Sequence, residues 1–242
     1  VGTEKHPGND DGCAAQLEPA GNLAQGLQGE PSGSVSIAAL PSAAEFLIPP
    51  TLIRLAGHKV SIALTDDDVA EADFGSRTAD HDLVIGHTLA GAPAGAEQVS
   101  ARTLAREPLD VAVPSGHRLA SLAAIAAQDL AGEPWIGVPL GYPFDTVRIA
   151  IENRCGSRLQ VVQRVRDNRV VEALVAAGVG CALLPRFTTR VREGMVTRPL
   201  SDVRSVRSIV ALGRPDRLER AVVGLVLDTL AEVGAEISAR AG

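Results

Sequence analysis

An α/β fold in two lobes is predicted by three observations. Aliphatic runs of strand length recur along the chain, stretches with helical spacing separate them, and this alternation pauses at Pro114 and then restarts. The 242 residues suffice for one large or two smaller cores, since domains cluster at roughly 100–150 residues. Hydrophobic residues make up 45% of the chain but aromatic ones only 2%, so the cores must be aliphatic and a surface that stacks bases is excluded. The net charge of −6 does not suit nucleic acid. It is unevenly spread, because residues 114–208 are net basic and the first 113 net acidic.

The elements follow in order. Residues 1–33 are rich in Gly, Pro and polar side chains and read as a tail or the remnant of a linker helix. Val35, Ile37 and Ala39 alternate as a first strand, and Ala43 to Leu55 carries helical spacing with Pro49 and Pro50 at its start or at a kink. Val60, Ile62 and Leu64 form a second strand, Val69 to Arg77 a helical stretch and Leu83 to Ile85 a third strand. A fourth, Leu109 to Val113, ends at Pro114. Beyond it come a short helix (Leu122 to Ala127), a strand (Trp135 to Val138), a helix (Asp145 to Arg154) and a strand (Gln160 to Val165). A helix (Asn168 to Ala177), a strand (Cys181 to Leu184), a strand (Ser208 to Leu212) and an amphipathic helix (Leu218 to Val233) complete the chain. The lobes are therefore expected at 34–113 plus 209–242 and at 114–208.

The common catalytic signatures are missing: there is no Gly-x-Ser-x-Gly elbow, no P-loop and no His-Glu-x-x-His. His81 and His87 flank a strand and make poor joint metal ligands. Three widely spaced cysteines without a Cys-x-x-Cys pair disfavour a disulfide framework or a zinc site. Cys181 should be buried and inert, whereas Cys155 beside Arg154 leaves a thiol-sensing role open. No basic region followed by an apolar run opens the chain, and no apolar stretch approaches ~18 residues, so a cytoplasmic protein with no membrane contact is expected. No cofactor or metal is expected.

Four linked motifs carry a resemblance. GSVSIAAL (Gly33 to Leu40), HDLVIGH (His81 to His87), EPLDVAVPSGHRLAS (Glu107 to Ser121) and LVAAGVGCALLP (Leu174 to Pro185) occur in an order that resembles the effector-binding domain of LysR-type transcriptional regulators. The resemblance implies two Rossmann-like α/β subdomains joined by crossover strands, of the type 2 periplasmic-binding-protein-like kind. It also implies a non-enzymatic sensor of a small molecule, and DNA contact only through a helix-turn-helix of roughly 60 residues that is not within these 242 residues and that the family pattern places before them. A solute-binding protein of the same fold, or an enzyme on that scaffold, are the alternatives. The segment from Leu55 to Lys59 is shorter than the family's usual turn, and His81 stands where an aliphatic residue is usual.

Ligands of open α/β sheets sit beyond the carboxyl ends of strands, against helix N-termini. Pro41, Ser42 and Ala43 follow the first strand, where Ser42 could cap the helix or donate to a ligand, and by resemblance its position contacts the effector. Asp66 and Asp67, with Asp68, follow the second strand and could cap the next helix, attract a hydroxyl-rich or cationic ligand, or repel anions. Gly141, Tyr142, Pro143 and Phe144 form a rim on the second lobe, with Asp145 as a helix cap. Arg166 and Asn168 follow the next strand, and an arginine there would pair with a carboxylate, so an anionic organic effector is expected. The resemblance further implies an antiparallel homodimer, or a tetramer built from it, with Phe46 and Leu47 of one chain beside Val170 and Ala173 of another.

Overall fold

The computed structural model describes residues 29–67, 73–89, 99–190 and 192–241. The chain divides into Val1–Glu30 and Pro31–Gly242, and the account below concerns the second unit. The tail expected up to residue 33 and the first half of the helix expected at Val69 fall largely outside the described residues.

Among the described residues nine strands form one sheet, eight of them in a single path with β8 off it. The first half of the chain runs β1 (Gly33–Ala39), α1 (Pro41–Arg54), β2 (Val60–Asp66), α2 (Phe74–Arg77) and β3 (Leu83–Thr88), with β1 parallel to both β2 and β3. The long strand β4 (Ser100–Pro114) then leads to a second set: β5 (Pro134–Gly137), α3 (Pro143–Cys155), β6 (Gln160–Arg164), α4 (Asn168–Ala176), β7 (Cys181–Pro185) and β8 (Met195–Pro199). The chain returns through β9 (Val206–Gly213), α5 (Pro215–Leu218) and α6 (Ala221–Ala241). The strand order is β2-β1-β3-β9-β4-β7-β5-β6, with β8 beside β4.

Two antiparallel strands, β4 and β9, tie the halves together. Residues 100–108 of β4 pair with β9, and residues 109–114 pair with β7 and β8. Each half has its own aliphatic core. One gathers Val35, Ile37, Leu47, Ile85, Val223 and Leu230, with α1 and α6 on the same face of the sheet. The other gathers Leu109, Val111, Leu130, Trp135, Val147 and Ile151.

Several expectations are corrected by packing. Pro49 and Pro50 lie inside α1, which is continuous from Pro41 to Arg54. The helix expected over Leu122 to Ala127 is absent: Ile125 instead bridges Leu200, and 3₁₀ turns occupy Arg118–Ser121 and Ala127–Leu130. Strand β8 was not expected, and β4 begins nine residues before the expected strand because its first half is mostly polar and exposed. Fully buried Trp135 belongs to the second core and lies away from the cleft described below.

Helix α6 approaches β4 through a glycine. A Cβ on Gly234 would come within 2.3 Å of the Leu104 carbonyl oxygen, whereas one on Gly224, in the same helix, would meet open space. Gly234→Ala should therefore cost about 1–3 kcal/mol by forcing the helix off the strand. Gly224→Ala should add about 0.5–1 kcal/mol through helix propensity. Urea denaturation of the two variants reads the opposite signs.

Candidate functional site

The carboxyl ends of β1 and β5 and the N-termini of α1, α3 and α4 border one cavity of about 720 Å³ between the halves. Its floor is built on a buried ion pair. Glu107 of β4 and Arg207 of β9 are cross-strand partners, exposed by 0% and 1% at their side chains. The Arg207 Nε donates to Glu107 Oε2 at 2.8 Å, and Nη2 lies 2.6 Å from the same oxygen. The other carboxylate oxygen accepts the Phe187 backbone N–H at 2.6 Å. Arg207 Nη2 also donates to Ser42 Oγ at 3.0 Å, and the guanidinium carbon sits 5.6 Å from the centre of the Phe144 ring. One guanidinium thereby touches the first turn of α1, the first turn of α3 and strand β4.

Helix α1 has Leu40 at its N-cap without a side-chain cap, so Ser42 is not the cap considered from sequence. Because its oxygen accepts from Arg207, its own hydroxyl proton is left to donate elsewhere. Asp145 is likewise not a cap, since Tyr142 holds that position in α3. Its carboxyl is held below the usual range, first by the hydrogen bond from Arg148 and further by Arg164, against the opposing effect of burial. Asp167 does cap α4, accepting from the N–H groups of Arg169 and Val170.

His87 lies next to last in the buried row of β3 and borders the cavity. Its ring packs edge-on to Phe144 at 5.5 Å and tilted against Phe74 at 6.5 Å. Gly86 beside it leaves room for Phe74, whose ring a Cβ there would meet at 2.6 Å. Burial, and then the charge of Arg207, push the imidazole well below the usual histidine range, so it is neutral at physiological pH.

The rim is charged. Among the described residues four arginines (Arg77, Arg166, Arg169, Arg190) and five carboxylates (Glu45, Asp66, Asp67, Asp167, Glu172) line it, while the further lining arginine, Arg207, is neutralised at the floor by Glu107. Several are paired: Arg77 with Asp67 at 3.0 Å, and Arg190 with Glu45 at 2.9 Å from one half to the other. Burial raises the Glu172 carboxyl, opposed by the Arg190 backbone N–H and by the charges of Arg192 and Arg190.

Among the residues singled out from sequence, Pro41, Ser42, Asp66, Asp67, Tyr142, Pro143, Phe144, Arg166 and Asn168 all line this cavity. Ala43 is buried in the core behind it, and Gly141 occupies an exposed turn with φ +85°. Arg166 Nη1 stands 3.5 Å from the Tyr142 hydroxyl. Leu47 is fully buried in the first core, Phe46 packs edge-on to Phe187 at 5.4 Å, and Val170 and Ala173 are exposed on α4. Sequence reasoning missed Arg207 and Glu107, and set His87 aside. A signal was present: each charge stands in line with inward-facing aliphatics two residues away, Ala105-x-Glu107-x-Leu109 and Arg207-x-Ile209. Cys181 is buried with its thiol pushed up to about 12, chiefly by burial, and Cys155 Sγ lies near the carbonyls of Glu152 and Ser157.

Residues 28–235 match the family model of the LysR substrate binding domain, and the chain belongs to that family. Solved structures share the fold. The Synechocystis PCC6803 CcmR regulatory domain in complex with 2-PG is 17% identical, with a TM-score of 0.70 over 84% of this chain and 98% of that one. The effector binding domain of QuiR in complex with shikimate is 13% identical, with a TM-score of 0.72 over 85% and 98%. HinK, a LysR family transcriptional regulator from Pseudomonas aeruginosa, is 19% identical, with a TM-score of 0.72 over 86% and 74%. The chain is thus the ligand-sensing domain of a LysR-type transcriptional regulator, with the type 2 periplasmic-binding-protein-like fold. Among the described residues no helix is long and apolar enough to cross a membrane.

The floor pair has a measurable signature. Glu107→Ala leaves the Arg207 charge buried without its partner and should cost about 3–5 kcal/mol. The double replacement Glu107→Leu with Arg207→Met should recover most of that loss in urea denaturation, because it removes both buried charges together.

Proposed function

We propose that the cavity between the halves binds a small anionic organic effector without transforming it. Binding then changes the angle between two lobes, 34–113 plus 209–242 and 114–208, to control DNA binding by the complete regulator in the cytoplasm. The observation that carries this reading is Arg207, which joins Ser42 of one half to Phe144 of the other at the cavity floor. A ligand acceptor placed there meets the donating Ser42 hydroxyl and the positive end of α1. The related structures in complex with 2-PG and with shikimate support a small-molecule role for this fold. A non-catalytic reading fits the floor's chemistry: a general base works best near pH 7, and His87 is pushed well below that.

Calorimetry against a panel of organic acids tests the site. Ser42→Ala and Phe144→Ala should each weaken binding of whichever acid the wild type binds by about tenfold, the equivalent of one charge-assisted hydrogen bond or ring contact. Full affinity in both variants would remove this cavity as the effector site.

We further propose an antiparallel homodimer in which α1 and β2 of one copy face α4 and β6 of another. Strands β2 and β6 are the two ends of the sheet, and both carry exposed aliphatics, Leu64 and Val162. Ile53 on α1 is 75% exposed and Val170 on α4 is 47% exposed, with Leu52 and Ala173 beside them. Leu47, being in the core, contributes only by holding α1 in place. Ile53→Asp and Val170→Asp should each halve the mass measured by light scattering at micromolar concentration, and an unchanged mass would refute this interface.

A further inference from the structure

A second cavity, of about 710 Å³, lies in the second half between α3 and the sheet's end strand β6. Trp135 packs with Val147 and Ile151 of α3, and its neighbour Ile136 with Val171 and Val175 of α4, so the two helices cover opposite faces of the sheet. The cavity is on the α3 side, away from the α4 surface proposed for the dimer. Among the described residues three arginines, Arg148, Arg158 and Arg164, and one carboxylate, Glu152, line it. Gly156, at φ +68°, ends α3 and lets the chain turn so that Arg158 joins the lining.

Two of these arginines also hold the first turn of α3. Arg148 Nε and Nη2 donate to Asp145 at 2.6 and 3.1 Å, and Nη1 lies 2.7 Å from Glu152. Arg164 Nη1 donates to the Val138 carbonyl at 2.6 Å and to Asp145 at 3.1 Å. Gly137 makes room for this guanidinium, since a Cβ there would stand 3.5 Å from Nη1. Among the described residues no partner is found for Arg164 Nε or Nη2, or for any nitrogen of the Arg158 side chain. Three guanidinium groups thus meet two carboxylates, Asp145 and Glu152, and one positive charge is left over.

We propose that this groove is a second ligand site, which takes the phosphate group of a small phosphorylated metabolite and, once filled, stiffens the wall of the inter-lobe cavity. The Nε and Nη2 edge of Arg164 is a fork that matches two oxygens of one anion, and Arg158 supplies another. A carboxylate is satisfied by one fork, whereas a phosphate monoester presents three acceptor oxygens and close to two charges. Ile149, 45% exposed, and Val161 offer apolar surface to the organic part. An anion on the Nε and Nη2 edge leaves Arg164 Nη1 on Val138 and Asp145, and by fixing the guanidinium it holds both. Asp145 follows Phe144, whose ring lies over Arg207, and Val138 and Phe144 line the inter-lobe cavity. The site itself is independent of the reading of that cavity as the effector site, and only its regulatory use rests on it.

Calorimetry on the full chain tests the site with glycerol 3-phosphate, inorganic phosphate and glycerol, in about 0.15 M NaCl, where diffuse attraction is screened beyond ~8 Å. Glycerol 3-phosphate should bind one to one with a Kd below about 1 mM, inorganic phosphate more weakly, and glycerol not at all. Arg158→Ala and Arg164→Gln should each weaken glycerol 3-phosphate by about tenfold, and Ser42→Ala should leave it within about twofold. Arg158 has no partner to lose, so the ligand-free Tm of its variant should equal that of the wild type, which separates lost binding from lost fold. No saturation by glycerol 3-phosphate up to about 10 mM, or full affinity in Arg158→Ala, overturns the site. Loss in Ser42→Ala alone places the anion in the inter-lobe cavity and overturns it as well. Equal affinity for inorganic phosphate overturns the metabolite class.

Hydrogen exchange reads the stiffening. The Tyr142 and Asp145 amides donate to the Pro139 and Tyr142 carbonyls in the wall that Arg164 braces. Saturating glycerol 3-phosphate should slow their exchange about threefold or more in the wild type and leave it unchanged in Arg164→Gln. Unchanged wild-type exchange with the groove filled overturns the stiffening. None of these outcomes touches organic-acid binding at Ser42, which the acid panel decides separately.

Discussion

The buried pair of Glu107 and Arg207 is the constraint around which the two halves are arranged. Removing two charges from water is costly, and their mutual attraction offsets that cost only when geometry is good and the remaining polar atoms are bonded. Here both carboxylate oxygens and two of the guanidinium nitrogens have partners. The partners come from the first half (Ser42), the connecting strands (Glu107, Arg207) and the segment after β7 (Phe187). Satisfying one ion pair therefore fixes the relative placement of elements far apart in sequence.

Phenylalanines gather near the same place, whereas Trp135 fills the second core. Phe144 lies against Arg207 and His87, Phe74 against His87, and Phe187 donates its backbone N–H to Glu107 while its ring packs on Phe46. The rings of Phe144 and Phe74 thus cover the pair's histidine neighbour, and that of Phe144 also faces the guanidinium. Large apolar rings keep water from the charges, which strengthens their attraction and makes the loss of either partner expensive. An aliphatic scaffold could fill the two cores, whereas enclosing a polar centre beside an open cavity calls for bigger, stiffer groups.

The alternation of strands and helices was legible because each buried strand of the parallel sets, such as Leu83 to Ile85 or Cys181 to Leu184, is a short aliphatic run bounded by turn residues. Positions at the carboxyl ends of those strands were legible for the same reason, and so Ser42, Asp66 and Tyr142 were singled out before any fold was in view. The antiparallel connectors were harder. The first half of β4 reads Ser-Ala-Arg-Thr, exposed and without an apolar run, and β8 reads Met-Val-Thr-Arg-Pro, where its partner β4 supplies most of the reason to be a strand. The floor pair escaped because each charge becomes meaningful only when the other is opposite it, and the 100 residues between them hide that register. A local pattern can flag an inward-facing charge, but only topology names its partner.

That topology also bears on how occupancy of the cleft could be felt elsewhere in the molecule. Arg207 holds Ser42 and rests against Phe144, and these belong to the first turns of helices from different halves. On the proposed reading of the cleft, a ligand atom bonded to the Ser42 hydroxyl or to Nη1 would strengthen the arrangement in which both helices converge on the guanidinium. It has no such hold on an arrangement in which Phe144 has moved away. That difference in affinity between two lobe arrangements is the only means by which a ligand can shift their populations. The Arg190 and Glu45 pair spans the halves too, but it is exposed, and exposed pairs are worth little. On that reading the discriminating interactions would be the buried ones at the floor, where a change of one hydrogen bond weighs most.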